Sequence, residues 1–378
     1  MQAGVILPKE VESLNNFLQT EIMTKSKQSV IDNFDTNAPG TSGQLFGLPF
    51  TEENADLIVI PVPWEVTVSY KAGTAQGPEA ILQASAQVDL FVKDIPDAWK
   101  LGIAMLETDE KIKSENERLR QLAALYIEWL SDTAHADDDA LKIIPQKINE
   151  ASESLMIYVK QKVLQYLKQG KMVALLGGDH STPLGFLRAL AEVYEQFGIL
   201  QIDAHADLRK AYEGFTYSHA SIMYNALKIK NISKLVQVGI RDYCDEEVTY
   251  INKAKKKVKT FFDDDIKEAQ YKGETWEQIC ERIIQELPEN VYISFDIDGL
   301  DPKLCPNTGT PVPGGFELQQ IIYLVKQVVK SGKKIIGLDL NEVSPGDDEW
   351  DANVGARALY QLCNWMGVSQ GKLKANFN

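Results

Sequence analysis

A chain of 378 residues is long enough to bury a large core without disulfides, and its net charge of −15 argues against nucleic acid as a partner. Its 25% of charged and 44% of hydrophobic residues are typical of soluble globular proteins. The sequence lacks an apolar run of membrane-spanning length and a signal-peptide pattern, and its four cysteines lack C-x-x-C spacing. We therefore expect a cytoplasmic protein without a membrane partner.

In chain order, residues 1–53 contain no clear strand, and we interpret them as an N-terminal arm packed on the main domain or on a neighbouring subunit. Residues 54–378 are expected to form one domain, with a two-helix insertion at about 107–170 that breaks at Ala136–Asp139. Short apolar runs predict these strands: Leu57–Val62, Met172–Leu176, Gly198–Ile202, Leu235–Val238, Val258–Phe262, Val291–Phe295 and Lys334–Leu338.

Amphipathic stretches with helical periodicity separate these strands. The predicted helices are Pro78–Val92, Pro183–Phe197, His219–Leu227, Asp245–Lys257, Trp276–Leu287, Glu317–Lys330 and Asn353–Met366. Strands that alternate with helices in this way indicate βαβ units, so the sequence predicts an α/β fold with a doubly wound, mainly parallel sheet.

Three of the four histidines lie between residues 180 and 219, at strand ends or helix starts, whereas His135 falls in the polar insertion and is expected at the surface. The first of the three, His180, follows a strand and a Gly177-Gly178 turn. Open α/β sheets bind ligands at the carboxyl ends of their strands, which makes His180 a candidate ligand. A glycine turn with an incidental histidine is the alternative.

A second cluster, Asp203, His205 and Asp207, follows the next strand with alanines between its members. On an extended backbone these three side chains point to one side, and burying two carboxylates together is unfavourable without a cation. A polar loop or capping cluster is the alternative.

A third cluster, Asp296 and Asp298, follows the strand Val291–Phe295. An Asx-type turn would explain Asp301-Pro302 downstream, but it would not explain two adjacent carboxylates on one face.

Together the three clusters offer two imidazoles and four carboxylates at one sheet edge. Six such ligands suit two divalent cations about 3.5–4 Å apart. Oxygen-rich ligation favours Mn²⁺ over zinc, while Ni²⁺, Fe²⁺ and Co²⁺ stay possible.

The motifs GGDHS, DAHAD and SFDIDGLDP occur in the order and context of the ureohydrolase family, which comprises arginases, agmatinases, formiminoglutamases and guanidine hydrolases. The chain resembles this family from about Ile58 to near its C-terminus. The resemblance implies a three-layer α/β/α sandwich, a pair of Mn²⁺ ions, hydrolysis of a guanidinium group to urea, and trimeric or hexameric assembly.

The resemblance also implies ligand roles. His180 and Asp207 would bind the first metal, and His205 and Asp298 the second. Two carboxylates would bridge the metals: Asp203 and Asp296.

Two further residues match the family's substrate side. Glu342, in Glu342-Val343-Ser344-Pro345, would pair with the substrate guanidinium, and His219 would act as general acid or proton shuttle. A loop carboxylate and a core histidine are the respective alternatives. Trp64 and Tyr70 resemble parts of the first active-site loop and are weak candidates for pocket walls, with ordinary packing as the alternative.

Agmatinase-like members are the most similar in the stretch Asp203–Ala226. The resemblance therefore favours agmatine, a small cationic guanidino compound, over guanidine or a guanidino acid. The acidic loop Gly346–Asn353 could hold the distal ammonium, or Trp350 could close the pocket for free guanidine, or the loop could simply be solvated. An inactive metal-binding regulator is the alternative of a different class.

Overall fold

One eight-stranded sheet organises the protein, and the computed structural model describes residues 27–132 and 139–377. The strands are β1 Leu57–Val62, β2 Ile103–Met105, β3 Met172–Gly177, β4 Phe197–Ile202, β5 Ile232–Ile240, β6 Val258–Phe262, β7 Asn290–Asp296 and β8 Lys334–Asn341. Their order across the sheet is β2-β1-β3-β8-β7-β4-β5-β6, and every pairing is parallel.

A helical stretch at residues 27–33 precedes β1, and eleven α-helices follow β1 within the described residues. They are α1 Gly77–Ser85, α2 Glu110–Ser131, α3 Asp139–Lys142, α4 Ile144–Lys168, α5 Leu184–Val193, α6 Ile222–Ala226, α7 Asp245–Lys253, α8 Asp263–Tyr271, α9 Trp276–Gln285, α10 Leu318–Lys330 and α11 Trp350–Ser369. Every residue of β1, β3 and β4 is buried, as expected for parallel strands covered on both faces. The predicted three-layer α/β/α sandwich with a parallel sheet is confirmed. Within the described residues, no helix has the length and apolarity to cross a bilayer.

All seven predicted strands are present, but the sequence reading missed β2 and α8. Strand β2 has only three residues, too few to show periodicity, and it pairs with β1 alone at the sheet edge. Helix α8 opens with three aspartates, Asp263 to Asp265, and its only buried apolar side chain is Ile266. A single buried apolar side chain leaves no amphipathic stripe to detect.

The C-terminal part of the expected arm contributes to the core, while residues 1–26 lie outside the described residues. Leu45, Phe46 and Leu48 are fully buried. The Phe46 ring meets Tyr360 of α11 at a centroid distance of 4.8 Å. The arm from residue 45 onward is therefore built into the main domain.

The expected insertion contains the two long helices α2 and α4, joined through the short helix α3. His135 and residues 136–138 of the expected break lie outside the described residues. Helix α4 packs along α5 with Gly185 at the close approach, because a Cβ there would lie 2.4 Å from the main-chain oxygen of Met156. The segment is thus attached to the sandwich rather than projecting from it.

Candidate active site

Four neighbouring central strands, β3, β8, β7 and β4, bring the predicted site residues to one edge of the sheet. His180 follows β3, Asp203 follows β4, Asp296 is the last residue of β7, and Glu342 follows β8. In parallel strands these positions all lie at the carboxyl ends, where α/β sheets bind ligands. The topology alone therefore gathers residues that are up to 162 positions apart in the chain.

A first group of donor atoms surrounds His180. Its Nδ1 lies 3.0 Å from Asp203 Oδ2, 3.1 Å from Asp207 Oδ2 and 3.2 Å from Asp296 Oδ2. This Nδ1 is buried and has no well-formed hydrogen bond within the described residues. One ring nitrogen facing three carboxylate oxygens is the arrangement that a shared cation would stabilise.

A second group shares Asp203 with the first. His205 Nδ1 lies 3.0 Å from Asp298 Oδ2 and 3.7 Å from Asp203 Oδ1. The donor atoms of His180, Asp203 and Asp296 lie within 4.8 Å of one another, as do those of Asp203, His205 and Asp298. Asp203 therefore presents one oxygen to each histidine, as a bridging carboxylate does.

The buried carboxylates and imidazoles of the two groups shift the pKa values of one another. Burial and the neighbouring Asp298 and Asp203 raise the pKa of Asp296 well above its ordinary value. Burial lowers the pKa of His180, but the carboxylates around it raise this pKa more, so it ends well above its ordinary value. A divalent cation would favour the deprotonated form of every one of these groups. The orphaned Nδ1 and the oxygen-rich donor set fit a pair of divalent cations.

A hydrogen-bond chain behind His180 orients its ring. Its Nε2 lies 2.9 Å from Ser294 Oγ, which in turn donates to Asp339 Oδ1 at 3.1 Å. Fixing one ring nitrogen in this way directs the other toward a ligand. The sequence analysis missed Ser294, although it lies two residues before Asp296 on the same face of β7.

Glu342 is held in an unusual backbone conformation, with φ of 63°. Its Oε1 accepts the main-chain N–H of His180 at 2.8 Å, and its carbonyl oxygen accepts the hydroxyl of Thr308 at 2.8 Å. Asp207 also has a positive φ, 55°. Left-handed non-glycine residues concentrate at functional sites, where the surrounding structure holds the strain.

His219 lies across the cavity at the start of a short 3₁₀ helix capped by Ser218. Thr67 Oγ1 accepts the main-chain N–H of His219 at 3.3 Å and lies 3.4 Å from His219 Nδ1. Burial, together with the charges on the neighbouring His205 and His180, lowers the pKa of His219 to about 4. The imidazole is therefore neutral near pH 7, and it must take up a proton before it can deliver one.

A cavity of about 160 Å³ opens above these groups and contains His180, His205, His219 and Glu342 in its walls. Residues that the sequence analysis did not assign to the pocket also line it: Ser69, Arg209, Tyr212, Asp242, Tyr243, Glu247 and Thr310. Asp242 follows β5 almost directly, so the strand-end rule that pointed to the other clusters could have found it.

The three weak pocket candidates do not line this cavity. Trp64 is buried beneath it, with its carbonyl oxygen bonded to the N–H of Asp179 at 2.7 Å. The side chain of Tyr70 points into solvent and is 73% exposed. Trp350 is 46% exposed, and its Nε1 donates to the carbonyl of Lys303. Trp64 packs in the core as its alternative proposed, but Tyr70 faces solvent instead of packing, and Trp350 begins helix α11 instead of lying in a loop.

Comparison with known proteins agrees with this geometry. Residues 55–364 match the Arginase family. The N(1)-aminopropylagmatine ureohydrolase of Thermus thermophilus is 32% identical over 321 residues, which cover 85% of this chain and 94% of that protein. The agmatinase of Escherichia coli is 30% identical over 313 residues, covering 82% and 87% of the two chains. The crystal structure of an agmatine ureohydrolase from Thermoplasma volcanium, 22% identical, has a TM-score of 0.65 and covers 91% of this chain and 99% of its own.

A parallel α/β sandwich with histidines and aspartates gathered at its carboxyl edge defines the class of protein as a ureohydrolase-type hydrolase that acts on guanidino compounds. The chain belongs to the arginase family. The predicted resemblance is thereby confirmed, and the chain is agmatinase-like within the family. The family is one of binuclear-metal enzymes, and the two groups around Asp203 are the residues of this chain that could hold such metals.

Proposed function

We propose that this enzyme hydrolyses the guanidino group of agmatine to give urea and putrescine. The observation that carries the proposal is the position of Glu342, which lines the same cavity as both His/Asp groups and is tied to His180 by a 2.8 Å hydrogen bond. Burial and the neighbouring Asp296 and Asp179 raise the pKa of Glu342 well above its ordinary value, so a guanidinium cation beside it would stabilise its ionised form.

Two divalent cations would occupy the groups around Asp203. His180 and Asp207 would hold one and His205 and Asp298 the other, with both shared by Asp203 and Asp296. The donor set favours Mn²⁺, with Ni²⁺ as the second choice. When bound, the metal pair supplies the Lewis acidity that makes water nucleophilic near neutral pH.

Glu342 orients the substrate. Since Oε1 already accepts a hydrogen bond from His180, Oε2 is the oxygen left for a guanidinium N–H, a charge-assisted contact. Fixing the planar guanidinium at this point presents its carbon to the attacking water.

His219 moves the proton. Addition of water forms a C–O bond, and the C–N bond to the alkyl chain then breaks, so the leaving amine needs a proton. A neutral His219 can take a proton released from the water and pass it to that amine. Its lowered pKa suits this shuttle role better than that of a permanently protonated acid.

N(1)-aminopropylagmatine is the second candidate substrate, because the first three similar proteins carry that name. It differs from agmatine by an additional aminopropyl group, which would extend toward the cavity mouth. Two carboxylates line the cavity on this side: Glu247 is buried and bonded to the main-chain N–H groups of Leu208 and Cys244, whereas Asp242 is exposed and lies 3.9 Å from His205 Nε2. Asp242 is thus the freer acidic group for a second ammonium.

Urea release from Mn²⁺- and Ni²⁺-loaded protein tests the proposal. The substrates are agmatine, N(1)-aminopropylagmatine, guanidine, arginine, 4-guanidinobutyrate and 3-guanidinopropionate. If agmatine is hydrolysed much faster than the other compounds, agmatine is supported as the substrate. If kcat/KM is higher for N(1)-aminopropylagmatine, that compound is supported instead. Turnover of guanidine or a guanidino acid alone would refute both agmatine and N(1)-aminopropylagmatine as substrates. If the protein binds two metals but hydrolyses none of these compounds, the alternative of an inactive metal-binding regulator would be favoured.

We also propose a homo-oligomer, a trimer or hexamer, on the family resemblance. Light scattering of the purified protein measures its mass directly, and a monomer at micromolar concentration would refute this.

A further inference from the structure

The helical segment between β2 and β3 reaches the loops that hold His219. Thr67 touches both the main chain and the ring of His219, and the chain from Gly214 to Ser218 leads into the helix on which His219 lies. The ring position is therefore set by two backbone stretches, one after β1 and one after β4. Both are bonded to side chains of α2 and α4.

Helix α2 fixes the first stretch. The buried Asn116 accepts the main-chain N–H of Glu65 through Oδ1 at 2.7 Å. One turn later, Arg120 Nη1 donates to the carbonyl of Val66 at 3.3 Å. The two bonds restrain the peptides immediately before Thr67, the residue that contacts His219.

Helix α4 fixes the second stretch through one side chain. Asn149 Nδ2 donates to the carbonyl of Gly214 at 3.3 Å, and Asn149 Oδ1 accepts the N–H of Thr216 at 2.8 Å. The side-chain amide of Asn149 thus both donates to and accepts from the loop backbone, as the backbone of a neighbouring strand would. Between these bonds, Phe215 is buried against the edge of the Tyr126 ring from α2, at a centroid distance of 5.7 Å.

We propose that α2 and α4 act as a brace that sets the position of His219, with Asn116 and Asn149 as positioning residues. The inference rests on the proposed function of His219 as proton shuttle. A helix pair that served only to cover the sheet would contribute apolar side chains. Here polar side chains reach loop peptides within two to three residues of the groups that hold His219. A proton shuttle depends on such placement, because a group can transfer a proton only when it lies within hydrogen-bonding distance of the donor and acceptor, whatever its pKa.

A double-mutant cycle tests whether Asn149 acts through His219. Asn149→Ala is compared with Gln146→Ala, which removes an exposed amide from the same helix. Among the described residues, that amide donates to Glu150 on its own helix and does not bond the His219 loop. We expect Asn149→Ala to lower kcat by about 10-fold or more, since a displacement of about 1 Å can cost about 100-fold. KM and metal content should stay close to wild type, the melting temperature should fall modestly because two hydrogen bonds are lost, and Gln146→Ala should leave kcat unchanged.

The decisive experiment repeats the Asn149→Ala substitution in the His219→Asn variant. If the brace works through His219, the second substitution changes the residual kcat little, because the group that it positions is gone. The same fold-loss in both backgrounds would overturn the proposal, as would an unchanged kcat in the single variant. Asn149→Asp keeps the acceptor for Thr216 and should recover part of the loss.

A second measurement keeps the brace testable if the wild type hydrolyses none of the substrates, an outcome that would refute the proposed function alone. The chain has four histidines, so the His219 ring signal in an NMR spectrum is assigned by its loss in His219→Asn. We expect that signal to shift in Asn149→Ala and Asn116→Ala but not in Gln146→Ala. An unshifted signal in both would refute the brace.

Discussion

The main-chain N–H of His180 donates a 2.8 Å hydrogen bond to Oε1 of Glu342, linking the loop after β3 to the loop after β8. This bond occupies one carboxylate oxygen of Glu342, a residue that lines the cavity. The proposed metal site and the proposed guanidinium site therefore share a structural connection, and substitutions can be chosen that change one and spare the other.

Glu342→Gln should weaken substrate binding without removing the metals. The amide oxygen can still accept the N–H of His180, so the loop stays in place, but the charge that pairs with guanidinium is lost. Hydrogen bonds to charged groups contribute about 1.5–3 kcal/mol, so kcat/KM should fall by about 10- to 100-fold. Steady-state kinetics and metal analysis of the same sample measure both effects.

Glu349→Gln is the matched control, because Glu349 is an exposed carboxylate of the acidic loop downstream. It should leave kcat/KM within about twofold of wild type, as is usual for surface substitutions. If Glu342→Gln behaved like this control, the assignment of Glu342 as the guanidinium partner would be wrong.

Asp296→Ala should lose metal and activity while the protein stays folded. Asp296 Oδ2 lies 3.2 Å from His180 Nδ1, among the atoms that would hold the first metal. The variant relieves repulsion among buried carboxylates but loses the bond from the Asp298 N–H to Asp296 Oδ1, so we expect a folded protein with a lower melting temperature. Metal content, expected to fall from about two ions per chain in a binuclear site, is measured by elemental analysis. Circular dichroism checks the fold, and full activity in the variant would refute the two-metal assignment.

His219 should give the metal-free protein a specific acid sensitivity. Its pKa of about 4 in the folded state lies below the value of about 6.5 expected in the unfolded chain. Between these pH values the unfolded chain binds a proton that the folded chain does not, so stability is lost as pH falls through this window. At pH 7 neither state is protonated, and the contribution disappears.

His219→Asn removes this titration and leaves the other acidic groups in place. Between pH 7 and pH 4 the free energy of unfolding of the wild type should fall by up to about 3 kcal/mol more than that of the variant. Urea denaturation at a series of pH values measures the difference. Parallel curves for the two proteins would show that His219 titrates normally.

The sequence predicted the sheet and the grouping of the six metal-site candidates because both depend on local pattern. His180, Asp203 and Asp296 each follow an apolar run, and parallel strands bring such positions together whatever the rest of the chain does. The groups that tune the site could not be read this way. Thr67 and Asn149 act through side-chain bonds to loops on other elements, and no periodicity relates them to His219.

The structure places the proposed wall residues away from the cavity for a related reason. Trp64 and Tyr70 lie close in sequence to Ser69, which does line the cavity, but a loop turns neighbouring side chains in different directions. Tyr212 and Tyr243, by contrast, line the cavity from loops after β4 and β5. The resemblance of the loop after β1 therefore indicated the right segment but not the residue that lines the cavity.

Gly178→Ala should displace the turn that carries His180. A Cβ at this position would lie 2.1 Å from the carbonyl oxygen and 2.7 Å from the amide nitrogen of Trp64. Both are main-chain atoms, and the carbonyl oxygen also accepts the N–H of Asp179. Neither the Trp64 backbone nor the turn at Gly178 can therefore move away without breaking this bond. Forced overpacking of this kind costs about 1–3 kcal/mol or more. We expect a lower melting temperature together with weaker metal binding, measured by thermal unfolding and by calorimetric titration with Mn²⁺.

Gly170→Ala separates the clash from the general effect of replacing a glycine. Its added Cβ would meet nothing within 4 Å, although its φ of 75° adds about 1–2 kcal/mol of backbone strain. It lies just before β3, at the opposite end of the strand from the site, so it should lower the melting temperature without changing the affinity for Mn²⁺. Equal losses of Mn²⁺ affinity in the two variants would mean that general destabilisation, and not the position of His180, controls metal binding.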